Sequence, residues 1–261
     1  MKVTVCELRN EPDDLARDWA ALVEHCQRER SDLVLLPEMP FYPWPAWTDR
    51  VDAAVWRASV EAHDRWIARL GELGAPIVAG TRPVLRKDKP YNEGYIWQAA
   101  GGYRAAHLKT YLPNEGYFWE ATWYERGPVE FIAAPFEAPG GPARAGFMIC
   151  TELWFGEHAR AYARQGAHMV LCPRATPGSA ADKWLAGGRA AAVMSGAYCL
   201  SSNRGGVDAT GLTWAGAGWA VEPEEGGVLG VTSRAQPFLT VEIDLAAAAN
   251  AKTTYPRYVK E

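Results

Sequence analysis

Residues 145–157 of this 261-residue chain read AGFMICTELWFGE. The apolar run that ends at Ile149 predicts a buried strand, and a helical pattern begins at Glu157. Cys150 therefore lies at a strand–turn–helix junction, where the turn lifts the sulfur out of the sheet and backbone N–H groups can bind an oxyanion. The start of a helix also favours the thiolate by lowering the pKa of a thiol. The alternative is a small buried cysteine without a catalytic role.

Strands and helices alternate on both sides of Cys150. Before it, we predict strands at 3–8, 33–36 and 77–80, helices at 13–29 and 51–73, and a hairpin formed by 92–98 and 103–109. After it come strands at 145–149, 168–172 and 198–202, helices at 157–165 and 183–195, and antiparallel strands at 218–221, 228–232 and 238–243. Two similar halves of this kind predict an α/β fold in which two sheets pack together under covering helices.

No linker separates the two halves, so residues 1–261 are predicted to form one domain, with 244–261 as a C-terminal tail. The charged fraction of 22% and the net charge of −4 argue against a nucleic-acid surface. No apolar run of about 18 residues predicts a membrane span. The first residues lack the pattern of a signal peptide, so we expect a cytoplasmic protein. The five cysteines are odd in number and widely spaced, which disfavours a disulfide framework or a zinc site.

Two charged residues follow other predicted strands. Glu38 comes directly after the strand at 33–36, and Lys109 ends the second strand of the hairpin. Ligands of α/β folds bind beyond the carboxyl ends of strands, so we expect both side chains near Cys150. A half-buried carboxylate suits general-base catalysis, and a lysine beside a thiolate stabilises negative charge. The alternatives are a solvated turn glutamate and a surface lysine.

Glu120 lies in the aromatic segment 118–127, which reads FWEATWYERG. A glutamate among so many aromatic rings is expected to be paired, and we interpret it as a residue that orients Lys109 or the substrate. A surface salt bridge is the alternative.

These segments resemble, in the same order, those of the nitrilase or carbon–nitrogen hydrolase superfamily. The matching residues are LPE at 36–38, HLK at 107–109, the glutamate upstream of WYERG, and ICTELWFGE at 149–157. The resemblance implies a four-layer αββα sandwich and a Glu-Lys-Cys active site that needs no metal and no organic cofactor. It gives Glu38 the role of general base, Lys109 that of oxyanion stabiliser and Cys150 that of nucleophile. Glu120 corresponds to the second, structural glutamate of the family.

The resemblance implies hydrolysis of a carbon–nitrogen bond through a cysteine thioester. The backbone N–H of Thr151 is expected to help hold the oxyanion. True nitrilases carry tryptophan at the position of Thr151, and D-carbamoylases carry an arginine in the stretch where this chain has Trp154. Many members have Phe-Pro-Glu where this chain has Phe155-Gly156-Glu157. We therefore predict an amidase for a small apolar or aromatic primary amide. An N-carbamoyl amidohydrolase, a nitrilase and a catalytically silent scaffold of the same fold are the alternatives.

Aromatic residues cluster in the segments around the predicted site, and some of them are expected to wall its pocket. Tyr42, Tyr117 and Trp154 are the candidates for substrate binding. Arg174 follows the strand at 168–172 and is predicted either to bind the substrate or to pair with an acidic residue.

Other hydrolase types have weaker support. The five histidines show no His-x-x-x-His spacing for a metal. A Cys–His pair would need His107, on the strand face of Lys109, or His158, which is predicted to face solvent. No Gly-x-Ser-x-Gly elbow and no dinucleotide fingerprint occurs. The tail resembles the family's tail, which often crosses between subunits, so we expect a homodimer or a larger even assembly.

Overall fold

The computed structural model describes residues 1–259, except for the side chain of Ser179. The first half contains, in chain order, β1 (Lys2–Leu8), α1 (Pro12–Glu29), β2 (Leu33–Leu35), a 3₁₀ helix (Pro45–Trp47), α2 (Ala53–Ile67), a second 3₁₀ helix (Leu70–Leu73), β3 (Ile77–Arg86), β4 (Lys89–Gln98) and β5 (Gly102–Leu108). The second half contains α3 (Glu120–Trp123), β6 (Ala134–Ala138), β7 (Gly141–Phe147), a 3₁₀ helix (Cys150–Trp154), α4 (Gly156–Arg164), β8 (Met169–Arg174), a 3₁₀ helix (Gly178–Ala180), α5 (Ala181–Ser195), β9 (Tyr198–Arg204), β10 (Trp219–Val221), β11 (Val228–Val231), β12 (Phe238–Glu242) and α6 (Leu245–Ala251).

The strands form two sheets that share β1. The first sheet has the order β5-β4-β3-β2-β1-β12, and the second has the order β6-β7-β8-β9-β10-β11. β1 pairs with β12 through residues 2–6 and then with β9 at Glu7 and Leu8. β1, β2 and β3 run parallel, and so do β7, β8 and β9. Segments that follow parallel strands therefore collect at one edge of each sheet.

Strand alternation explains the layers, because successive side chains of a strand point to opposite faces. One set of side chains joins the two sheets in a shared core: Val3, Leu35 and Ile77 from the first sheet, with Phe147 and Leu171 from the second. The intervening side chains of the first sheet pack with α1 in a separate cluster: Val34, Leu36 and Val78, with Leu15 and Trp19. The first sheet is thus apolar on both faces.

Helices α4 and α5 cover the outer face of the second sheet. Tyr162 of α4 donates a hydrogen bond to the carbonyl of Phe147 at 2.7 Å. Its ring lies 2.5 Å from the position that a Cβ on Gly146 would occupy, so only glycine allows this close approach. Ala191 of α5 belongs to the same core. The four-layer αββα sandwich predicted from the sequence is confirmed.

The predicted helix at 51–73 is wrong in its second part. α2 ends at Ile67, and a separate 3₁₀ helix follows at Leu70–Leu73. Gly71 disfavours a continuous helix, and Gly74 ends the segment with a φ of 68°. Leu70 and Leu73 are nevertheless buried, because they pack with α1.

The antiparallel hairpin of β3 and β4 was not predicted from the sequence. Its turn residues Lys87 and Asp88 have φ values of 51° and 63°, as a type I′ turn requires. Lys-Asp is a weak signal for such a turn, and the prediction for β3 stopped at Gly80. β6, which pairs with β7, was also missed. Within residues 1–259, no helix combines the length and the apolar composition that crossing a membrane requires.

Candidate active site

Three chain segments meet at one end of the sandwich. Glu38 lies three residues beyond β2, Lys109 follows β5 directly, and Cys150 lies three residues beyond β7. The Lys109 ammonium donates to Glu38 Oε1 at 2.7 Å and to Glu120 Oε2 at 2.6 Å. Glu38, Lys109 and Glu120 are all buried. The structure thus places a lysine between two carboxylates in the interior, next to the segment that carries Cys150.

The two oxygens of Glu38 have different surroundings. Oε1 accepts hydrogen bonds from Lys109 and from Asn92 Nδ2, the latter at 2.8 Å. Oε2 is buried and has no hydrogen-bond partner in the described part of the chain. A buried acceptor without a partner is costly, and its presence in a native fold calls for a functional explanation. Oε2 is therefore available to take a proton from a nucleophile or from water.

The main chain around Glu38 is fixed by the buried guanidinium of Arg204. Arg204 Nε donates to the carbonyl of Glu38 at 3.1 Å, and Nη2 donates to the carbonyls of Tyr42, at 3.1 Å, and of Met39. Met39 has a φ of 41°, which is uncommon for a residue with a side chain. Neither Arg204 nor Asn92 was predicted from the sequence as part of the site. Only the alternation within β4 and β9 hinted at inward-facing polar residues.

The charged groups at this site shift one another's pKa values. Burial alone would lower the pKa of the Lys109 ammonium, but the carboxylates of Glu120 and Glu38 outweigh burial and raise it. Lys109 therefore stays protonated. Burial raises the pKa of the Glu120 carboxyl, and the neighbouring ammonium opposes this change. The hydroxyl of Tyr124 donates a hydrogen bond to Glu120 Oε2, which orients this carboxylate towards Lys109.

Cys150 begins the 3₁₀ helix with a φ of 48°, in the left-handed region. Such a backbone is strained for a residue with a Cβ and often marks a functional site. Burial, followed by the charge of Glu38, raises the pKa of the thiol, although Lys109 acts in the opposite direction. The expectation of a lowered thiol pKa is therefore wrong, because burial disfavours the charged thiolate. A base is needed to form the thiolate.

A pocket of about 290 Å³ opens onto Cys150. Glu120, Thr151 and Trp154 also line it, together with apolar residues that include Phe118 and Trp184. Thr151 is the second residue of the 3₁₀ helix, so its N–H lies in the first turn, where backbone donors have no intrahelical partner. The rings of Trp154 and Trp184 lie 4.9 Å apart. Cys150 thus lies in the wall of a small cavity that has both apolar and charged side chains in its lining.

Three of the substrate-binding candidates lie elsewhere. Tyr42 and Tyr117 line a different cavity, of about 510 Å³, rather than the one at Cys150. Arg174, predicted either to bind the substrate or to pair with an acidic residue, does not line the pocket at Cys150. Its side chain is fully buried and donates to Ser201 Oγ at 2.7 Å and to the carbonyl of Ala217 at 2.6 Å. β8 runs on to Arg174, so this residue lies within the sheet instead of beyond its end.

The histidines are engaged in other contacts. His107 Nε2 lies 2.9 Å from Glu152 Oε1. His158 is buried, contrary to the prediction, because its ring stacks on Phe131 with centroids 3.5 Å apart. Neither histidine lines the pocket at Cys150. Among the residues that the structure describes, no three His, Cys, Asp or Glu side chains gather as a metal site would require.

The family model for carbon-nitrogen hydrolases matches residues 2–253. The chain belongs to the carbon–nitrogen hydrolase family. The resemblance to the nitrilase superfamily is thereby confirmed. A curated relative, the chloroplastic omega-amidase of Arabidopsis thaliana, is 26% identical over 242 residues, which cover 90% of this chain and 64% of the relative. This carbon–nitrogen hydrolase thus spans slightly less than two thirds of that protein.

Solved structures share the fold of this carbon–nitrogen hydrolase. A carbon-nitrogen hydrolase from Helicobacter pylori superposes with a TM-score of 0.85 and 20% identity, covering 99% of this chain and 94% of the other. An amidase variant from Nesterenkonia sp. gives 0.77 and 21%, with 96% and 92% covered. In that amidase structure, the acetamide moiety of fluoroacetamide is covalently added at the active-site cysteine. At these identities the likeness shows the fold alone.

Proposed function

We propose that this carbon–nitrogen hydrolase is an amidase that converts a small primary amide into a carboxylic acid and ammonia, with Cys150 as the nucleophile. The observation that carries the proposal is the arrangement around Lys109. A buried ammonium bridges Glu38 and Glu120, and one oxygen of Glu38 has no partner among residues 1–259. Cys150 and Glu120 line the pocket, and the buried charges of Glu38 and Lys109 act on the Cys150 thiol. A base, a cation and a thiol are thus grouped together, as covalent catalysis of acyl transfer requires.

In the proposed acylation, Glu38 Oε2 takes the proton of the Cys150 thiol, and the sulfur attacks the carbonyl carbon of the amide. The carbonyl oxygen becomes negative, and Lys109 and the N–H of Thr151 stabilise it. Glu38 then gives its proton to the amide nitrogen. The carbon–nitrogen bond breaks, ammonia leaves, and a thioester remains on Cys150.

Deacylation uses the same groups in the reverse order. Glu38 takes a proton from water, and the hydroxide oxygen attacks the thioester carbon. The second tetrahedral intermediate collapses, the carbon–sulfur bond breaks, and the proton on Glu38 returns to the sulfur. The acid leaves and the enzyme is regenerated, so the kinetics are ping-pong.

All five cysteines are free, and a reaction that depends on a free thiol fits a reducing compartment such as the cytoplasm.

The pocket supports a small apolar or aromatic acyl group. Its volume of about 290 Å³ limits the size of the substrate. Phe118, Trp154 and Trp184 offer apolar faces, which favour an alkyl or aryl chain. Tyr42 and Tyr117 line the neighbouring cavity and are not expected to contact this acyl group.

A second candidate is an amide whose far end carries a carboxylate. The pocket at Cys150 is also lined by Lys183, whose Nζ lies 5.7 Å from the centre of the Trp154 ring. An ammonium at this position would attract an anionic chain end, and the Arabidopsis relative is named an omega-amidase. The exposed carboxylate of Glu115 in the same lining opposes this candidate.

Amides are expected to be better substrates than the matching nitriles. Thr151 replaces the tryptophan of nitrilases, so the site has more room for the bent amide group and a polar side chain beside it. A site that pairs with the amide nitrogen leaves a polar group unpaired when a nitrile binds, which costs about 1–3 kcal/mol. That cost corresponds to a ratio of roughly ten- to a hundredfold in kcat/KM.

A panel of substrates tests the preference for amides over nitriles and the second candidate, an amide with a carboxylate at its far end. Release of ammonia from butyramide, benzamide and succinamate is compared with hydrolysis of butyronitrile and of N-carbamoyl propylamine. Faster conversion of the nitrile would contradict the interpretation of Thr151, and faster conversion of the carbamoyl compound would favour the amidohydrolase alternative. A preference for succinamate that disappears in Lys183→Met would select the second candidate.

We also propose that the chain self-associates. Tyr255 and Tyr258 in the tail are 72% and 61% exposed, and clustered exposed rings usually mark an interaction surface. The described part of the tail is held on its own chain, because Arg257 donates to the carbonyl of Ala251 at 2.7 Å and pairs with Glu224 at 2.7 Å. We therefore expect the exposed rings of Tyr255 and Tyr258 to form the contact between subunits, while the tail stays packed on its own chain.

Light scattering at micromolar concentration is expected to show a dimer or a larger even assembly. Deleting the residues after Ala251 should weaken it, but this change also removes the contacts of Arg257. The double variant Tyr255→Ser/Tyr258→Ser keeps those contacts and should still shift the protein towards the monomer. A wild-type protein that is monomeric at this concentration contradicts the proposal.

A further inference from the structure

Glu152 is a buried carboxylate to which the proposed reaction gives no role. It lies two residues after Cys150, in the 3₁₀ helix, and its side chain is fully buried. It does not line the pocket at Cys150. A buried charged group needs hydrogen-bond partners to remain in the interior. The partners of Glu152 therefore indicate which parts of the chain it holds in place.

Those partners come from two different chain segments. Glu152 Oε2 accepts a hydrogen bond from the backbone N–H of Ile149 at 2.7 Å. Oε1 accepts one from the backbone N–H of Thr110 at 2.6 Å. The imidazole Nε2 of His107 lies 2.9 and 3.0 Å from the two oxygens. Each carboxylate oxygen thus holds a different main-chain donor.

The two donors are the direct neighbours of two proposed catalytic residues. Ile149 precedes Cys150, and Thr110 follows Lys109. β5, which leads to Lys109, belongs to the first sheet, whereas β7, which leads to Cys150, belongs to the second. The only described strand pairing between these sheets is that of β1 with β9, which involves neither β5 nor β7. Glu152 therefore bridges the two sheets at the site itself.

We propose that Glu152 is a positioning residue that fixes the Cys150 turn against the end of the Lys109 strand. This inference rests on the proposed function for its effect on turnover. Charge-assisted hydrogen bonds to backbone N–H groups are short and strong, so a carboxylate suits this task better than a neutral side chain. The distance and orientation between the attacking sulfur of Cys150 and the ammonium of Lys109, which stabilises the oxyanion, are then kept constant.

The variant Glu152→Gln tests the proposal. Its shape is almost unchanged, but its NH₂ group must face either Thr110 N–H or Ile149 N–H, so one of the two backbone contacts is lost. A displacement of about 1 Å between catalytic groups costs on the order of a hundredfold in rate. We expect kcat for the amide to fall roughly ten- to a hundredfold, with KM changed less than about threefold. Glu61→Gln, the same substitution at an exposed position of α2, serves as the control.

A second measurement needs no amide turnover. The rate at which iodoacetamide alkylates Cys150 reports how well the thiolate is stabilised, and it should fall in parallel with kcat in Glu152→Gln. If the wild-type protein does not hydrolyse amides, the proposed function fails, but the alkylation rates still decide the role of Glu152. Near-UV circular dichroism gives the folded fraction to which each rate is normalised.

The variant His107→Phe covers the case in which Glu152→Gln does not fold. It removes the third partner of Glu152 and keeps a ring beside Phe131, which lies 4.8 Å from the His107 ring. We expect a smaller decrease in both rates, because both backbone contacts remain. Unchanged kcat and alkylation per folded molecule, with only a lower Tm, would make Glu152 a structural residue and overturn the proposal.

Discussion

Replacing Cys150 with alanine should abolish amide hydrolysis and leave the fold intact. The proposed reaction passes through a thioester on this sulfur, and no other thiol lines the pocket. Removing the nucleophile of a covalent hydrolase lowers kcat on the order of a millionfold. The side chain is small, and within residues 1–259 its only hydrogen bond is a weak contact of the sulfur with the carbonyl of Ala175 at 3.9 Å. Stability should therefore change little.

Activity assays of Cys150→Ala are compared with those of Cys26→Ala, a matched substitution of a buried cysteine in α1. The control variant should retain wild-type kcat. The thermal unfolding of both variants is measured to confirm that they are folded. Hydrolysis by Cys150→Ala at a rate near that of the wild type would show that another group performs the attack.

Removing the ammonium of Lys109 should lower kcat about a hundred- to a thousandfold, as the loss of an oxyanion donor does in other acyl transfers. KM should change much less, because the negative oxygen exists only in the intermediate and the transition state. The variant Lys109→Met preserves the length of the side chain. It also leaves Glu38 and Glu120 buried without their cation, and breaking a buried ion pair in this way costs about 3–5 kcal/mol of stability.

The double variant Lys109→Met/Glu120→Gln separates catalysis from stability. Neutralising Glu120 removes one of the two orphaned charges, so the Tm should recover in part. The value of kcat should stay low, because no cation remains to receive the oxyanion. Recovery of kcat together with the Tm would show that Lys109 only balances charge in the interior.

The catalytic candidates could be predicted from the sequence because each lies near the end of a predicted strand, in a segment that resembles the carbon–nitrogen hydrolases. Glu38 and Cys150 come after short apolar runs and Lys109 ends a strand of the predicted hairpin. The carboxyl ends of such strands meet at one place in an α/β fold. The alternation of apolar residues likewise fixed the two sheets and their covering helices. These features depend on periodicity and on order along the chain, and both can be read from one sequence.

The supporting residues could not be predicted in this way. Arg204 reaches the carbonyl of Glu38 across 166 positions, and Asn92 reaches its carboxylate across 54. The first contact depends on how the two sheets are joined and the second on the strand order within one sheet, and periodicity reveals neither. Arg174 was misplaced because the predicted strand stopped at Cys172, two residues before β8 ends. An error of that size at a strand end moves a side chain from the sheet interior to a loop.

The measurement that tests the central claim most directly is the mass of the enzyme during turnover of an activated ester. With p-nitrophenyl butyrate, acylation is fast and the acyl-enzyme should accumulate until acid quench. We expect one butyryl group per active chain, located by peptide mapping on Cys150, removed by hydroxylamine and absent from Cys150→Ala. A scaffold protein would show no preferential labelling of Cys150. Steady hydrolysis of the ester with Cys150 unmodified, or with the butyryl group on another residue, would contradict the thioester mechanism.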